Sequence, residues 1–252
     1  MNLLTSFQYS LVTNVLSFTI AAMGAAFIFF IGSRPQVAPR YRITLLISGL
    51  VVAIACYHYF RIYESFSAAY TLVAGFYQPS GKPFNDAYRY VDWLLTVPLL
   101  LLELASVVQL GARTPGQGLT AKLVLAAVLM ILTGYPGEIS TDMTTRALWG
   151  AVSTIPFVYI LYVLWVKLGE VLKKEKAGVA LLVRNTRWLL ILTWGFYPIT
   201  YLLPQLGVPA ASAVVGVQIG YAVADVLAKA GYGVMIYAIA RAKTEAEGGL
   251  AA

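Results

Sequence analysis

The sequence predicts an all-α membrane protein, a bundle of seven transmembrane helices with its N-terminus outside the cell. Three observations predict it. Apolar residues make up 60% of the 252-residue chain, and the mean hydropathy is +0.75. Charged residues are only 12%, against about 25% in an average soluble domain. The apolar residues also gather into seven stretches, each near the ~20 residues a helix needs to cross the hydrocarbon core. Length and composition together read as a single domain over residues 1–252.

The first span is expected at 9–32. The preceding MNLLTSFQYS has no basic n-region and no small-residue cleavage site, so this segment reads as a retained helix rather than a removed signal. SRPQVAPR at 33–40 separates it from span two, 42–64. The stretch 65–86 is too long and polar for a tight turn, and its TLVAGFYQPSGKPF predicts a short β-hairpin outside the membrane. Span three is expected at 87–109, followed by the turn signal RTPGQG at 113–118. Span four covers 119–138, with GYPGE at 134–138 reading as the next turn. Spans five, six and seven are expected at 146–169, 184–204 and 211–241, with LPQLGVP at 203–209 between the last two. The tail TEAEGGLAA reads as frayed.

Basic residues set the orientation. Arg34, Arg40 and Arg42 fall between spans one and two, and Arg113 and Lys122 flank the third connection. Lys167, Lys173, Lys174, Lys176, Arg184 and Arg187 surround the fifth, and Arg241 and Lys243 follow span seven. Thirteen of the 18 basic residues thus lie on one side, which the positive-inside rule makes cytoplasmic. The net charge of +7 is explained by topology, and no nucleic-acid partner is expected. The lipid bilayer is the expected partner and the plasma membrane the expected location, with multiple passes. The single cysteine, Cys56, cannot form an intrachain disulfide.

Charges within spans are costly and mark function. Span three carries Arg89, Asp92 and Glu103. At about 100° per residue, Thr96 lies about 40° from Asp92 and Glu103 about 20° past three full turns, so all three share a face, with the carboxylates about 16 Å apart along the axis. Such stacked carboxylates suit a proton relay; the alternative is that each simply pairs with a base. Span seven carries Asp225 and Lys229 at i,i+4, on one face. A buried lysine suits Schiff-base chemistry with a carbonyl compound, although a structural ion pair would place the same residues. On span six, Trp194 and Tyr197 share a face and Pro198 bends the helix. With Trp93 they would line a slot for a flat conjugated ligand, unless they are ordinary packing aromatics. His58, the only histidine, lies in span two.

Together, RYVDWLLTVPLLLLE at 89–103, WGFYP at 194–198 and DVLAK at 225–229 resemble the microbial rhodopsins, specifically the proteorhodopsin and xanthorhodopsin group of eubacterial proton pumps. The resemblance spans all seven helices. It implies all-trans-retinal bound on Lys229 as a protonated Schiff base. It implies that Asp92 is the counterion and proton acceptor, Asp225 the second counterion carboxylate, and Arg89 the arginine below them. It implies that Glu103 is the donor that reprotonates the Schiff base, that His58 hydrogen-bonds the acceptor, and that Trp93, Trp194, Tyr197 and Pro198 wall the polyene. The triplet Asp92, Thr96, Glu103 favours protons: sodium-pumping relatives carry other residues there, chloride pumps lack the acceptor and sensory relatives usually lack the donor. Leu100 matches a colour-tuning place where leucine accompanies green absorption. Gly150, in RALWGAVSTIPFVYILYVLW, matches the glycine that leaves room for a carotenoid antenna, here a hydroxylated carotenoid, unless it serves only helix packing. A homo-oligomer is expected and no soluble transducer. The competing readings are a photosensory rhodopsin signalling through a partner and a retinal-free carrier in which Lys229 is only an ion-pair residue.

Overall fold

A computed structural model of the chain describes residues 3–85, 87–108 and 118–249. In hydrocarbon a backbone N–H or C=O finds no water, so each spanning segment must satisfy its own hydrogen bonds, and the apolar stretches fold as helices. A short strand β1 (Leu4–Thr5) leads into α1 (Ser6–Ser33), and α2 (Arg42–Ala69) runs back. The strands β2 (Tyr70–Val73) and β3 (Phe76–Pro79) precede α3 (Ala87–Val107), α4 (Leu119–Ile139), α5 (Met143–Leu172) and α6 (Ala177–Leu202). Helices α7 (Ala210–Asp225) and α8 (Tyr232–Ala246) are joined through a π-helical turn, Val226–Gly231, into one seventh span. Thr5 opens α1 with a capping box to Gln8, and the Asp142 carboxylate caps α5 by accepting from the Thr145 N–H at 2.7 Å.

Successive helices from α1 to α5 pack as neighbours, and the seventh span closes the bundle against α1, α2, α3 and α6. Apolar side chains such as Ile28, Ile155, Tyr162 and Leu192 point outward and are well exposed; in a bilayer that face meets lipid tails. Six spans are long and apolar enough to cross a membrane by length and composition. The sixth helix, α6, falls short because it carries Arg184, Asn185 and Arg187 and then the more polar aromatic run around Trp194, Tyr197 and Pro198.

The predicted hairpin forms, with its turn at Ala74 and Gly75, both at positive φ, the geometry that matches strand twist in a two-residue connection. β1 adds to it, so the sheet has three antiparallel strands in the order β1-β3-β2, with Leu4 opposite Tyr77 and Val73 opposite Phe76. Other expectations need correction. Helix α2 continues to Ala69, into the stretch read as loop, and α6 begins at Ala177, seven residues before the expected 184. Arg187 lies within that helix, and its guanidinium sits over the Trp165 ring at 3.6 Å. GYPGE is not a turn: α4 runs through it to Ile139. Gly137 is there for packing, since a Cβ would overlap the Tyr201 hydroxyl and lie 3.0 Å from Trp149. The tail is helical to Ala246, and Glu247 accepts from the Tyr41 hydroxyl at 2.9 Å and pairs with Arg40. Gln109, Arg113 and most of the RTPGQG turn lie outside the described residues.

Candidate functional site

The π-helical turn carries Lys229 inward, where it is 2% exposed, against a fully buried Asp92 and Asp225. The Lys229 Nζ donates to Asp92 Oδ2 and lies 3.0 Å from Asp225 Oδ2. A buried ammonium is costly unless it is paired and hydrogen-bonded, and here two carboxylates flank it. The second cation is Arg89, at the start of α3. Its guanidinium donates to Gln218 Oε1 at 3.0 Å and faces the rings of Tyr221 and Tyr59 at 5.1 and 5.9 Å. Two buried anions and two buried cations therefore balance.

The two carboxylates are held very differently. Asp225 accepts from the Tyr59 hydroxyl at 2.8 Å, from the Trp93 indole N–H at 3.1 Å and from the Tyr197 hydroxyl. Asp92 Oδ1 has no hydrogen-bond partner among the described residues. Thr96 does not serve it: the Thr96 hydroxyl donates to the Asp92 backbone carbonyl at 2.8 Å. Asp92 thus meets the lysine with a single side-chain partner among the described residues, whereas Asp225 accepts from three further side chains. His58 is buried nearby on α2, but its Nδ1 donates to the Ile54 carbonyl at 2.9 Å. Among the described residues no direct hydrogen bond joins His58 to Asp92.

Glu103 lies farther along the same face of α3 and is fully buried. Ser48 Oγ is 2.6 Å from Glu103 Oε2 and 3.2 Å from the Thr44 carbonyl. A hydroxyl has one proton. With Glu103 ionised, Ser48 must donate to it; with Glu103 protonated, the carboxyl donates and Ser48 turns to Thr44. The serine can therefore follow the charge of its partner. Thr44 Oγ1 then donates to Ser106 Oγ at 3.1 Å.

Between these groups lies a cavity of about 840 Å³, including its mouth, with Lys229 in its wall. Trp93, Leu100, Trp194, Tyr197, Pro198 and Gly150 all line it, as do Met130, Gly134, Ser153, Phe157 and Tyr201. Trp93 meets Tyr197 edge to face at 5.2 Å. A flat conjugated molecule attached to the Lys229 amine fits this donor set and these aromatic walls. At Gly150 a Cβ would stand 2.9 Å from Tyr201 Cε1, so a side chain there would press on the Tyr201 ring edge.

Of the residues singled out in the sequence, Asp92, Asp225, Lys229, Trp93 and Tyr197 meet directly. Arg89 stands at one end and Glu103 at the other. Tyr59, Ser48, Gln218 and Tyr201 were not foreseen. A signal existed for two of them: Ser48 and Tyr59 are eleven residues apart on α2, the same three-turn spacing as Asp92 and Glu103 on α3.

Residues 10–243 match the model of the family described as bacteriorhodopsin-like protein. The chain is 55% identical to a solved structure of xanthorhodopsin, described as a light-driven ion pump with dual chromophore, covering 99% of each chain with a TM-score of 0.92. It is 52% identical to a thermophilic rhodopsin, covering 98% of this chain and 99% of that one, also with a TM-score of 0.92. A green-light absorbing proteorhodopsin from a gamma-proteobacterium is 29% identical over 87% of this chain and 82% of its own length.

Proposed function

Because the chain belongs to the bacteriorhodopsin-like family, we propose that it is a light-driven pump that carries protons outward across the plasma membrane, with retinal held on Lys229 as a protonated Schiff base. The observation that carries this reading is the pair of buried carboxylates on α3, one in contact with the Lys229 amine and one apart from it with a hydroxyl partner. The Lys229 amine would hold retinal, whose chemistry would be the absorption of light and an isomerisation that disturbs the ion pair at the lysine nitrogen. Asp92, in contact with that nitrogen, takes its proton. Asp225, saturated by Tyr59, Trp93 and Tyr197, stays an anion and holds the charge of the site. Glu103 then returns a proton to the Lys229 nitrogen, and Ser48 reorients as Glu103 ionises. Basic residues crowd the Glu103 side of the bundle, which supports a cytoplasmic donor and an outward direction. The test is a light-induced pH trace on expressing cells given all-trans-retinal. Acidification of the medium that a protonophore abolishes is expected; no visible pigment, or no proton movement, overturns the proposal.

The finer reading is a carotenoid antenna. Gly150 lines the cavity wall beside Tyr201, so an end ring of a hydroxylated carotenoid could approach the retinal ring there against the outer apolar surface. Gly150→Trp would collide with Tyr201 and close the slot. After incubation with such a carotenoid, the action spectrum of pumping should gain carotenoid-shaped structure in the blue for the unaltered protein and not for the variant. No gain in the unaltered protein with several carotenoids would leave Gly150 a packing residue.

A further inference from the structure

One buried carboxylate has no part in the cycle above. Glu138 lies in the last turn of α4 and Arg146 in the first turn of α5; their charged groups lie 3.6 Å apart and each side chain is 8% exposed. Arg146 is fixed in place. It donates to the carbonyls of Gly137 at 3.1 Å, Glu138 at 2.6 Å and Tyr201 at 3.2 Å. The Tyr221 hydroxyl reaches Glu138 Oε2 at 3.4 Å. Tyr221 also touches the ion-pair cluster: its ring faces the Arg89 guanidinium at 5.1 Å, and its carbonyl accepts at 3.2 Å from the Tyr59 hydroxyl that donates to Asp225. One tyrosine thus joins the cluster to a carboxylate at the end of the bundle opposite Glu103, where slight exposure gives access to water. The segment 203–217, between the sixth and seventh spans on that same side, contains no acidic residue.

We propose that Glu138 is the exit carboxylate of the pump, receiving the proton that leaves Asp92 and passing it to water outside. This rests on the outward-pump reading. The proton balance is closed. The O–H bond on Asp92 breaks and one forms on Glu138; that bond then breaks to water, and both carboxylates end ionised as they began. Arg146 balances the charge of the resting Glu138, and Tyr221 supplies the hydroxyl contact through which the cluster and the exit are linked.

The experiment follows a flash on purified, retinal-loaded protein in vesicles, with a membrane-impermeant pH dye reporting release and the visible band reporting the state of Asp92. In Glu138→Gln, release and the return of the resting colour should both slow by roughly a hundredfold, the lower range for losing a proton-transfer group. The first proton transfer to Asp92 should keep its rate. Glu138→Asp should restore release, which a purely structural role for the carboxylate would not require. Tyr221→Phe keeps the ring and the Glu138–Arg146 pair and should slow release in the same sense; it decides the matter if Glu138→Gln yields no pigment. Release on the unaltered schedule in the variants overturns the exit role and leaves the pump intact. No release from the unaltered protein overturns the pump reading and the exit role with it.

Discussion

Replacing Asp92 by Asn keeps the side-chain size and removes one charge from beside the Lys229 amine. The structure puts that charge in contact with the nitrogen, with Asp225 on the other flank at 3.0 Å. At a separation of about 3 Å and an effective dielectric of about 20, one unit pair is worth on the order of 5 kcal/mol. Excitation moves positive charge away from the nitrogen along the polyene, so the ground state loses more of this stabilisation than the excited state. The energy gap therefore shrinks, by at most that amount. For a pigment absorbing in the green, Asp92→Asn should show a red shift of up to a few tens of nanometres and no outward pumping. Protonation removes the same charge. The unaltered protein should shift red as pH falls through the titration of Asp92, and return as pH rises. The assay is an absorption titration paired with light-induced pH traces. An Asp92→Asn band at the unaltered position, or an unaltered spectrum unmoved by acid, would refute the counterion argument; continued pumping by the variant would refute the acceptor role.

Lys229→Ala should yield no covalent visible pigment with all-trans-retinal, because the other described lysines lie outside the cavity wall; a covalent coloured product would overturn that attachment. Glu103→Gln should keep its colour while late recovery after a flash slows by roughly a hundredfold, the lower range for loss of a general acid. Flash photolysis checks this, and recovery at the unaltered rate counts against the donor role. Leu100 lines the cavity and is 2% exposed, so Leu100→Gln should place a dipole along the polyene and shift a green band to the blue. An unshifted maximum would mean that Leu100 does not act on the chromophore.

Spans were legible because a bilayer demands continuous apolar length, and their ends were less so because the demand fades at the interface. Span six was read from 184, yet α6 already begins at Ala177, and within it the long stem of Arg187 lets the guanidinium reach Trp165. Gly and Pro in GYPGE signal a turn in water, but here the backbone stays helical and Gly137 admits Tyr201. Within the site, charged residues stood out against an apolar background, which made Asp92, Glu103, Asp225 and Lys229 readable. Tyr59, Ser48 and Tyr201 did not stand out, since tyrosine and serine are unremarkable in a helix until their neighbours are known. His58 was expected to hydrogen-bond the acceptor; its Nδ1 meets the Ile54 carbonyl, which leaves Nε2 for any other partner, a detail of rotamer that sequence does not carry.

The π-helical turn at Val226–Gly231 makes the seventh span a shaft in two phases. Each residue of an α-helix advances it by about 100°, and a π turn takes up one extra residue before the α ladder resumes. The first half is indexed by Asp225, locked to α2, α3 and α6 through Tyr59, Trp93 and Tyr197. The second half is indexed separately by Tyr232, whose hydroxyl donates to the Leu100 carbonyl at 3.2 Å. Deleting one residue within the turn would favour a continuous α-helix and rotate one half against the other by about 100°. Asp225 and Tyr232 could not then both keep their partners. The widened turn is thus where two rotational settings are reconciled, and the lysine sits on the joint between them.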